Sequence, residues 1–124
     1  MRLLEPYAYA ALRIMTGCMF AFHGAQKIFG IYGGQRPAMW TQIWAGGLIE
    51  LCGGLAVALG LGSPWAAFIC SGTMAVAYIQ FHWRLRWGAN FFPAVNQGEL
   101  VVLYCFVFLV LCCQGTGRWG VGKK

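Results

Sequence analysis

Four apolar stretches divide this chain. They run from Tyr7 to about Phe29, from Thr41 to Leu61, from Pro64 to Trp83 and from Gly98 to Gln114, with polar or Gly/Pro-marked sequence between them. Each approaches or reaches the roughly 20 residues that a helix needs to cross a hydrocarbon core of about 30 Å. Pro6 is placed for a first helical turn, Gly30 for a stop, and Gly62-Ser63-Pro64 for a tight turn between helices. The pattern predicts an all-α integral membrane protein, an antiparallel four-transmembrane-helix bundle with helices at 7–29, 41–61, 64–83 and 98–114 in a single domain, 1–124.

The polar residues within these stretches are not scattered. Arg13, Gly17, Phe20, Gly24 and Lys27 recur at spacings of three or four and share one helical stripe, with His23 beside it. A charge on that stripe turned to lipid would cost about 2.5–3.5 kcal/mol, so the stripe is expected to face the bundle interior. On the second helix Gly46, Glu50, Gly53 and Gly54 form a small-residue seam holding one acid. At 1.5 Å per residue, His23 lies roughly 9 Å, and Glu50 roughly 10–14 Å, beneath the same surface. His82 closes the third helix and Glu99 opens the fourth near that surface. His23, Lys27, Glu50, His82 and Glu99 are thus expected in one half of the bilayer, with Arg13 or His23 as the partner of Glu50.

Each of these groups also has a plainer role. Glu50 and Arg13 can form a buried pair that sets helix register, and Lys27 can snorkel to the interface. Glu99 can complement a helix dipole, and His82 can sit at the interface beside Trp83. The site reading rests on their gathering at one level, because ionisable groups within a membrane are rare.

Composition supports the bilayer as solvent. Of 124 residues, 60% are hydrophobic and 10% charged, against about 25% charged in an average soluble chain. The formal charge of +6 is dispersed between apolar segments rather than gathered on a face; this excludes a nucleic-acid reader and fits loops beside anionic lipid. The six cysteines include no CxxC and no zinc-like spacing, and five lie within apolar runs as small hydrophobes. Cys112-Cys113 is a vicinal pair for which a redox role is weighed. The first segment lacks a basic leader region and a small-residue cleavage site, so it is expected to be a retained helix. Positive charges are balanced across the two sides, and the termini are assigned to the cytoplasm by counting Lys27 and Arg84 with the site.

Taken together, Arg13 followed by Phe22-His23-Gly24-x-x-Lys27, then Gly47-x-x-Glu50-x-x-Gly53-Gly54, Gly60-Leu61-Gly62-Ser63-Pro64, His82, Asn90-Phe91-Phe92 and Gly98-Glu99-Leu100 resemble the DoxX-like membrane proteins of bacteria over nearly the whole chain. The resemblance implies a four-helix bundle in the cytoplasmic (inner) membrane and links to redox chemistry. Relatives include a subunit of thiosulfate:quinone oxidoreductase and partners of thiol-redox and superoxide-detoxifying proteins, while related eukaryotic proteins act as chaperones or cargo receptors. Residue by residue it points to Arg13, His23, Lys27, Glu50, His82, Asn90 and Glu99. The missing CxxC argues against a self-contained thiol oxidoreductase.

Two functions follow as expectations. In the first, the chain is a quinone-linked redox subunit. His23, Glu50 and Glu99 act as catalytic proton carriers, and Arg13, Lys27, His82, Asn90 and Phe91 bind the quinone among aromatic side chains. No haem, flavin or metal motif is present. In the second, it is a non-catalytic subunit or an assembly or chaperone factor of a larger membrane complex. The partners expected are membrane lipid and another membrane or redox subunit, or a second copy of the chain.

Overall fold

In a computed structural model, residues 1–30, 39–83, 88 and 98–120 are described, with the backbone alone at 81–83. They form four helices: α1 (Glu5–Phe29), α2 (Gln42–Leu59), α3 (Ser63–Ala77) and α4 (Glu99–Gln114). A short 3-10 turn, Arg2–Leu4, precedes α1, and a π-helical segment, Tyr78–Trp83, continues α3.

Local chemistry fixes the ends. Pro6 stands in the first turn of α1, where its missing N–H costs nothing. Gly30 closes α1 at φ 66°, its N–H donating to the Gln26 carbonyl; the left-handed conformation is nearly free for glycine. The Thr41 hydroxyl caps α2 by accepting from the Trp44 N–H at 3.3 Å. Gly60 ends α2 at φ 76°, and Pro64 starts α3.

The α1–α2 contact is a backbone-to-backbone seam in antiparallel register. A Cβ on Gly17 would stand 2.5 Å from the Ala58 nitrogen, and one on Gly54 would stand 2.5 Å from the Ala21 nitrogen. A Cβ on Gly24 would collide with the backbone of Leu51 and Gly47. Gly17 and Gly24, like Gly47 and Gly54, are seven residues apart, two turns of helix, so each pair falls on one line. This refines the seam expected from sequence. Gly47 and Gly54 make the contact, Gly46 meets nothing within 4 Å, and Gly53 faces the Cys70 sulfur on α3.

On the other side of α1 an aromatic cluster joins it to α4. The Phe20 ring lies 4.7 Å from Phe108 and 5.2 Å from Tyr104. Around it Val57, Ala67, Cys70, Met74 and Leu111 complete the buried core. Helices α3 and α4 are held by packing and by the Ser71 hydroxyl, which donates to the Cys105 carbonyl at 2.8 Å.

The outer surface is apolar. Leu55, Phe68, Ile69, Leu103, Phe106 and Val110 all stand exposed, the reverse of the polar rim a water-soluble bundle presents. By length and composition, α2 meets the requirement for crossing a membrane, and α4 is apolar but shorter, at 16 residues. The sequence reading expects four crossings. The difference arises in α1 from the polar stripe through its 25 residues, and in α3 from the change to π-helix after residue 77.

Arg13 has a place of its own at the far end of α1 from His23. It is fully buried. Its Nε donates to the Val57 carbonyl at 3.0 Å, and Nη2 to those of Trp119 at 3.2 Å and Ala58 at 3.5 Å. Nη1 donates to the carbonyls of Thr116 and, at 2.8 Å, of Arg118. The guanidinium thus supplies donors to the last turn of α2, where carbonyls carry negative partial charge; that of Val57 also accepts from the Gly60 N–H at 3.2 Å. It also ties segment 115–120 beneath the bundle. Trp119 is held there at φ 60°, with its ring 5.6 Å from Tyr7, a conformation a bulky residue adopts only when its surroundings enforce it.

Candidate functional site

At the opposite end, all four helices line a cavity of about 580 Å³. Its walls are mostly apolar: Phe20 from α1, Ile43 and Ile49 from α2, Met74 and Val76 from α3, and Leu100 and Val101 from α4. Ile43 and Leu100 are also exposed on the outer surface, so the cavity is continuous with the apolar exterior. The polar groups in it are His23, Lys27, Gln42, Glu50, Thr73, Gln80 and Tyr104. Volume and lining match small-molecule sites, which run to roughly 300–1,000 Å³ and place few polar groups in an apolar wall.

Glu50 is the centre of this set. Its side chain is 5% exposed, and Oε2 accepts from the Lys27 ammonium at 2.7 Å. The Lys27 side chain is 39% exposed, so the pair links a buried carboxylate to the outside of the bundle. This corrects the expectation that Arg13 or His23 partners the acid. The seam register sets Gly24 against Leu51 and Gly17 against Ala58. Glu50 therefore faces the Lys27 end of α1, whereas the first carbonyl Arg13 reaches, at Val57, lies about two turns, or about 11 Å, further along α2.

Two buried polar atoms on residues that line the cavity, though closed off from its open space, have no hydrogen-bond partner among the described residues: Glu50 Oε1 and the Tyr104 hydroxyl. Such atoms carry a desolvation penalty of about 1–3 kcal/mol each, and more when charged. Native interiors rarely retain them without a water, an ion or a ligand to satisfy them. His23 is half-buried, and its ring packs edge-on against Tyr104 with centroids 6.2 Å apart. On the rim, Gln42 Nε2 donates to Gln80 Oε1 at 2.6 Å, joining the start of α2 to the π-helical segment.

Of the residues singled out from sequence, the structure brings His23, Lys27 and Glu50 together. Arg13 is committed to the carbonyl cage at the other end. Glu99 is exposed in the first turn of α4 and is not a wall of the cavity. The His82 side chain, and Asn90 and Phe91 altogether, lie outside the described residues. Sequence reasoning missed Tyr104, Gln42 and Gln80 as site residues. The available signal was a tyrosine in the middle of an apolar helix, since a buried hydroxyl needs a partner that Leu or Phe does not.

Lys27→Met should destabilise the protein by about 1–3 kcal/mol, because it strands a buried carboxylate whose partner is itself partly screened by its exposure. Adding Glu50→Gln should recover much of that loss. Thermal unfolding in one detergent, comparing both singles with the double variant, checks this. If the double variant loses the sum of the two single losses, the pair is not coupled.

Comparison with known proteins places these features in a family. A family model described as DoxX matches residues 8–83, which include the Lys27–Glu50 pair and the glycine seam. An uncharacterized protein of Haemophilus influenzae is 37% identical over 124 residues, covering 97% of this chain and 92% of the relative. No solved structure matches.

Proposed function

We propose, on the premise that this chain belongs to the DoxX family, that it is a quinone-linked subunit of the bacterial inner membrane, crossing it four times with both termini in the cytoplasm. The cavity carries this reading: an apolar slot, continuous with an apolar outer surface, with His23 and the Lys27–Glu50 pair in its wall. The family's association with redox chemistry, noted above as an implication of its motifs, supports it as well.

The residues fit such a group. Phe20, Ile49, Met74 and Val101 supply apolar and aromatic walls for a ring and the start of a tail. His23 and Lys27 can donate to ring oxygens, and Glu50 can accept or release a proton. When bound, a quinone supplies two-electron, two-proton carrier chemistry. The chain's own part is to exclude water around Glu50, to orient the head group through His23, and to relay protons between Glu50 and the exterior through the partly exposed Lys27, whose ammonium must release a proton outward before its amine takes one from Glu50. Electrons come from a partner or a substrate, since the proposed role of this chain is binding and proton handling.

The four crossings draw support from helix lengths. The 25 residues of α1 extend about 37 Å, and α3 with its π-helical continuation spans residues 63–83. The test is solvent extraction and mass spectrometry of purified protein, wild type beside Glu50→Gln and His23→Ala. Wild type should retain quinone, and the folded variants should retain at least tenfold less. If wild type carries none and the variants fail to assemble with co-purifying proteins, the chain is instead a non-catalytic membrane subunit or assembly factor.

A further inference from the structure

Helices α2 and α3 are held together at two levels and part between them. Deep in the bundle, a Cβ on Gly53 would stand 2.6 Å from the Cys70 sulfur. Near the other end, Gln42 Nε2 donates to Gln80 Oε1 at 2.6 Å. From residue 42 to residue 53 the helix rises about 16 Å. Along that stretch Ala45, Gly46 and Ile49 on α2, and Thr73, Val76 and Ala77 on α3, all line the cavity. A Cβ on Gly46 would meet nothing within 4 Å. Ala45 and Val76 are at the same time exposed on the outer surface. A residue that faces both cavity and exterior marks an opening, and here such residues come from both helices. The Thr73 hydroxyl donates to the Ile69 carbonyl at 2.9 Å, so even the polar residue on this edge turns its proton back to its own helix.

The cavity is also polarised across its width. His23 and Lys27 stand on α1, with Glu50 paired to Lys27 at 2.7 Å, whereas the opening is edged by small and apolar side chains. A ligand with a polar head and an apolar chain fits in one sense only, head toward α1 and chain toward the opening. Lipid is as apolar as such an edge, so a chain gains little by leaving one for the other. The opening is therefore a passage rather than a grip, and what it has to supply is width. Ala45, Gly46 and Ala77 supply it by having little or no side chain.

From this, and resting on the quinone reading above for the head group, we propose that the cavity is entered sideways from the bilayer through a window between α2 and α3. Ala45, Gly46 and Ala77 keep the window wide enough for a ligand that carries a hydrocarbon chain, and the chain stays threaded through it while the head is bound. The Gln42–Gln80 bond bounds the window toward the helix ends, so the chain leaves between the helices rather than over the rim. The edge of the window, not the groups around Glu50, decides whether a chain-bearing quinone can be seated.

Two measurements on the protein in lipid nanodiscs test this. In the first, a benzoquinone whose decyl chain carries a diazirine near its end is photolysed with wild type. The labelled positions are read by mass spectrometry with and without excess decyl-benzoquinone. Labelling that the competitor suppresses should fall on the α2 and α3 residues of the window. In the second, Ala45→Phe sets a ring on the exposed edge of the window, and its folding is checked by thermal unfolding. It should bind decyl-benzoquinone about tenfold more weakly than wild type, the scale of one overpacked contact, and chainless tetramethyl-benzoquinone within about twofold.

Suppressible labelling on α1 and α4 instead, around Leu100, would overturn the window while leaving a quinone site in place. Folded Ala45→Phe protein that treats the two quinones alike, whether both bind or both are lost, would overturn the part given to the window's edge. No suppressible labelling and no saturable binding of either quinone by wild type would overturn the quinone reading and this inference with it.

Discussion

Arg13→Met should free segment 115–120 and cost about 3–5 kcal/mol, the scale of a buried charged group's lost bonds. The side chain is fully buried and donates to five carbonyls, at Val57, Ala58, Thr116, Arg118 and Trp119. Methionine fills most of the volume and supplies no donor. The carbonyls of Val57 and Ala58 lie at the negative end of α2, so the loss combines missing hydrogen bonds with a missing cation at a helix C-terminus. The tail has other attachments: the Tyr9 hydroxyl donating to the Gly115 carbonyl at 2.6 Å, and the Arg118 guanidinium 5.0 Å over the Tyr7 ring. These are nearer the surface and too few to hold it alone. Trypsin cleavage after Arg118 reads the release directly, because local opening controls cutting; it should accelerate at least tenfold. Arg13→Lys, which keeps the charge with fewer donors, should fall between. An unchanged cleavage rate in Arg13→Met would show that the ring contacts hold the tail. Under the proposed function, quinone retention offers a second contrast, since Arg13 stands at the opposite end from the cavity and its folded variants should retain as much quinone as wild type.

Gly54→Ala should be destabilising by about 1–3 kcal/mol, and Gly46→Ala neutral or slightly stabilising. The two glycines lie on the same helix, and the same methyl is added. At Gly54 the new Cβ would stand 2.5 Å from the Ala21 nitrogen and 2.7 Å from the Gly17 oxygen. These are backbone atoms that cannot rotate away, so the helices must part and the seam loses dispersion contacts along its length. At Gly46 nothing lies within 4 Å, and alanine is intrinsically the better helix former. Thermal unfolding of both variants in one detergent separates seam packing from helix propensity. Similar shifts in the two would refute the close approach of α1 and α2. Because the seam also sets the register that brings Lys27 to Glu50, Gly54→Ala should weaken the Lys27–Glu50 pair without touching the cavity wall.

How far the sequence could be read follows from the kind of signal each feature leaves. Helices with apolar faces leave a periodic pattern, so four helices and the buried stripe of Arg13, Gly17, Phe20 and Gly24 were legible. The level at which His23, Lys27 and Glu50 meet was legible from chain direction and rise per residue. The partner of Arg13 was not, since its acceptors are backbone carbonyls, which every residue carries and none advertises. The pairing of Glu50 was not either. Choosing among Arg13, His23 and Lys27 requires the register of α1 on α2, which is fixed by Gly17, Gly24, Gly47 and Gly54 and not by the charges. The sequence reading placed Gly46 in the seam because residues 46 and 47 are one step apart, and a turn of 100° separates a contact face from a cavity wall. Tyr104 was hidden by its neighbours: in Leu103-Tyr104-Cys105-Phe106 it reads as one more large apolar side chain.

The cage around Arg13 also has a consequence for biosynthesis. Three of its carbonyls belong to residues 103 to 106 positions downstream. At about 5–20 residues per second, the ribosome needs roughly 5 to 20 s after making Arg13 to make the groups that will surround it. For that interval a cation sits in a nascent apolar helix with its final environment still untranslated. Until then α1 lacks the carbonyls that surround its guanidinium in the folded protein. It can settle only when the downstream segment arrives. The packing of α1 against the rest of the bundle is therefore completed late, however early the helix itself forms.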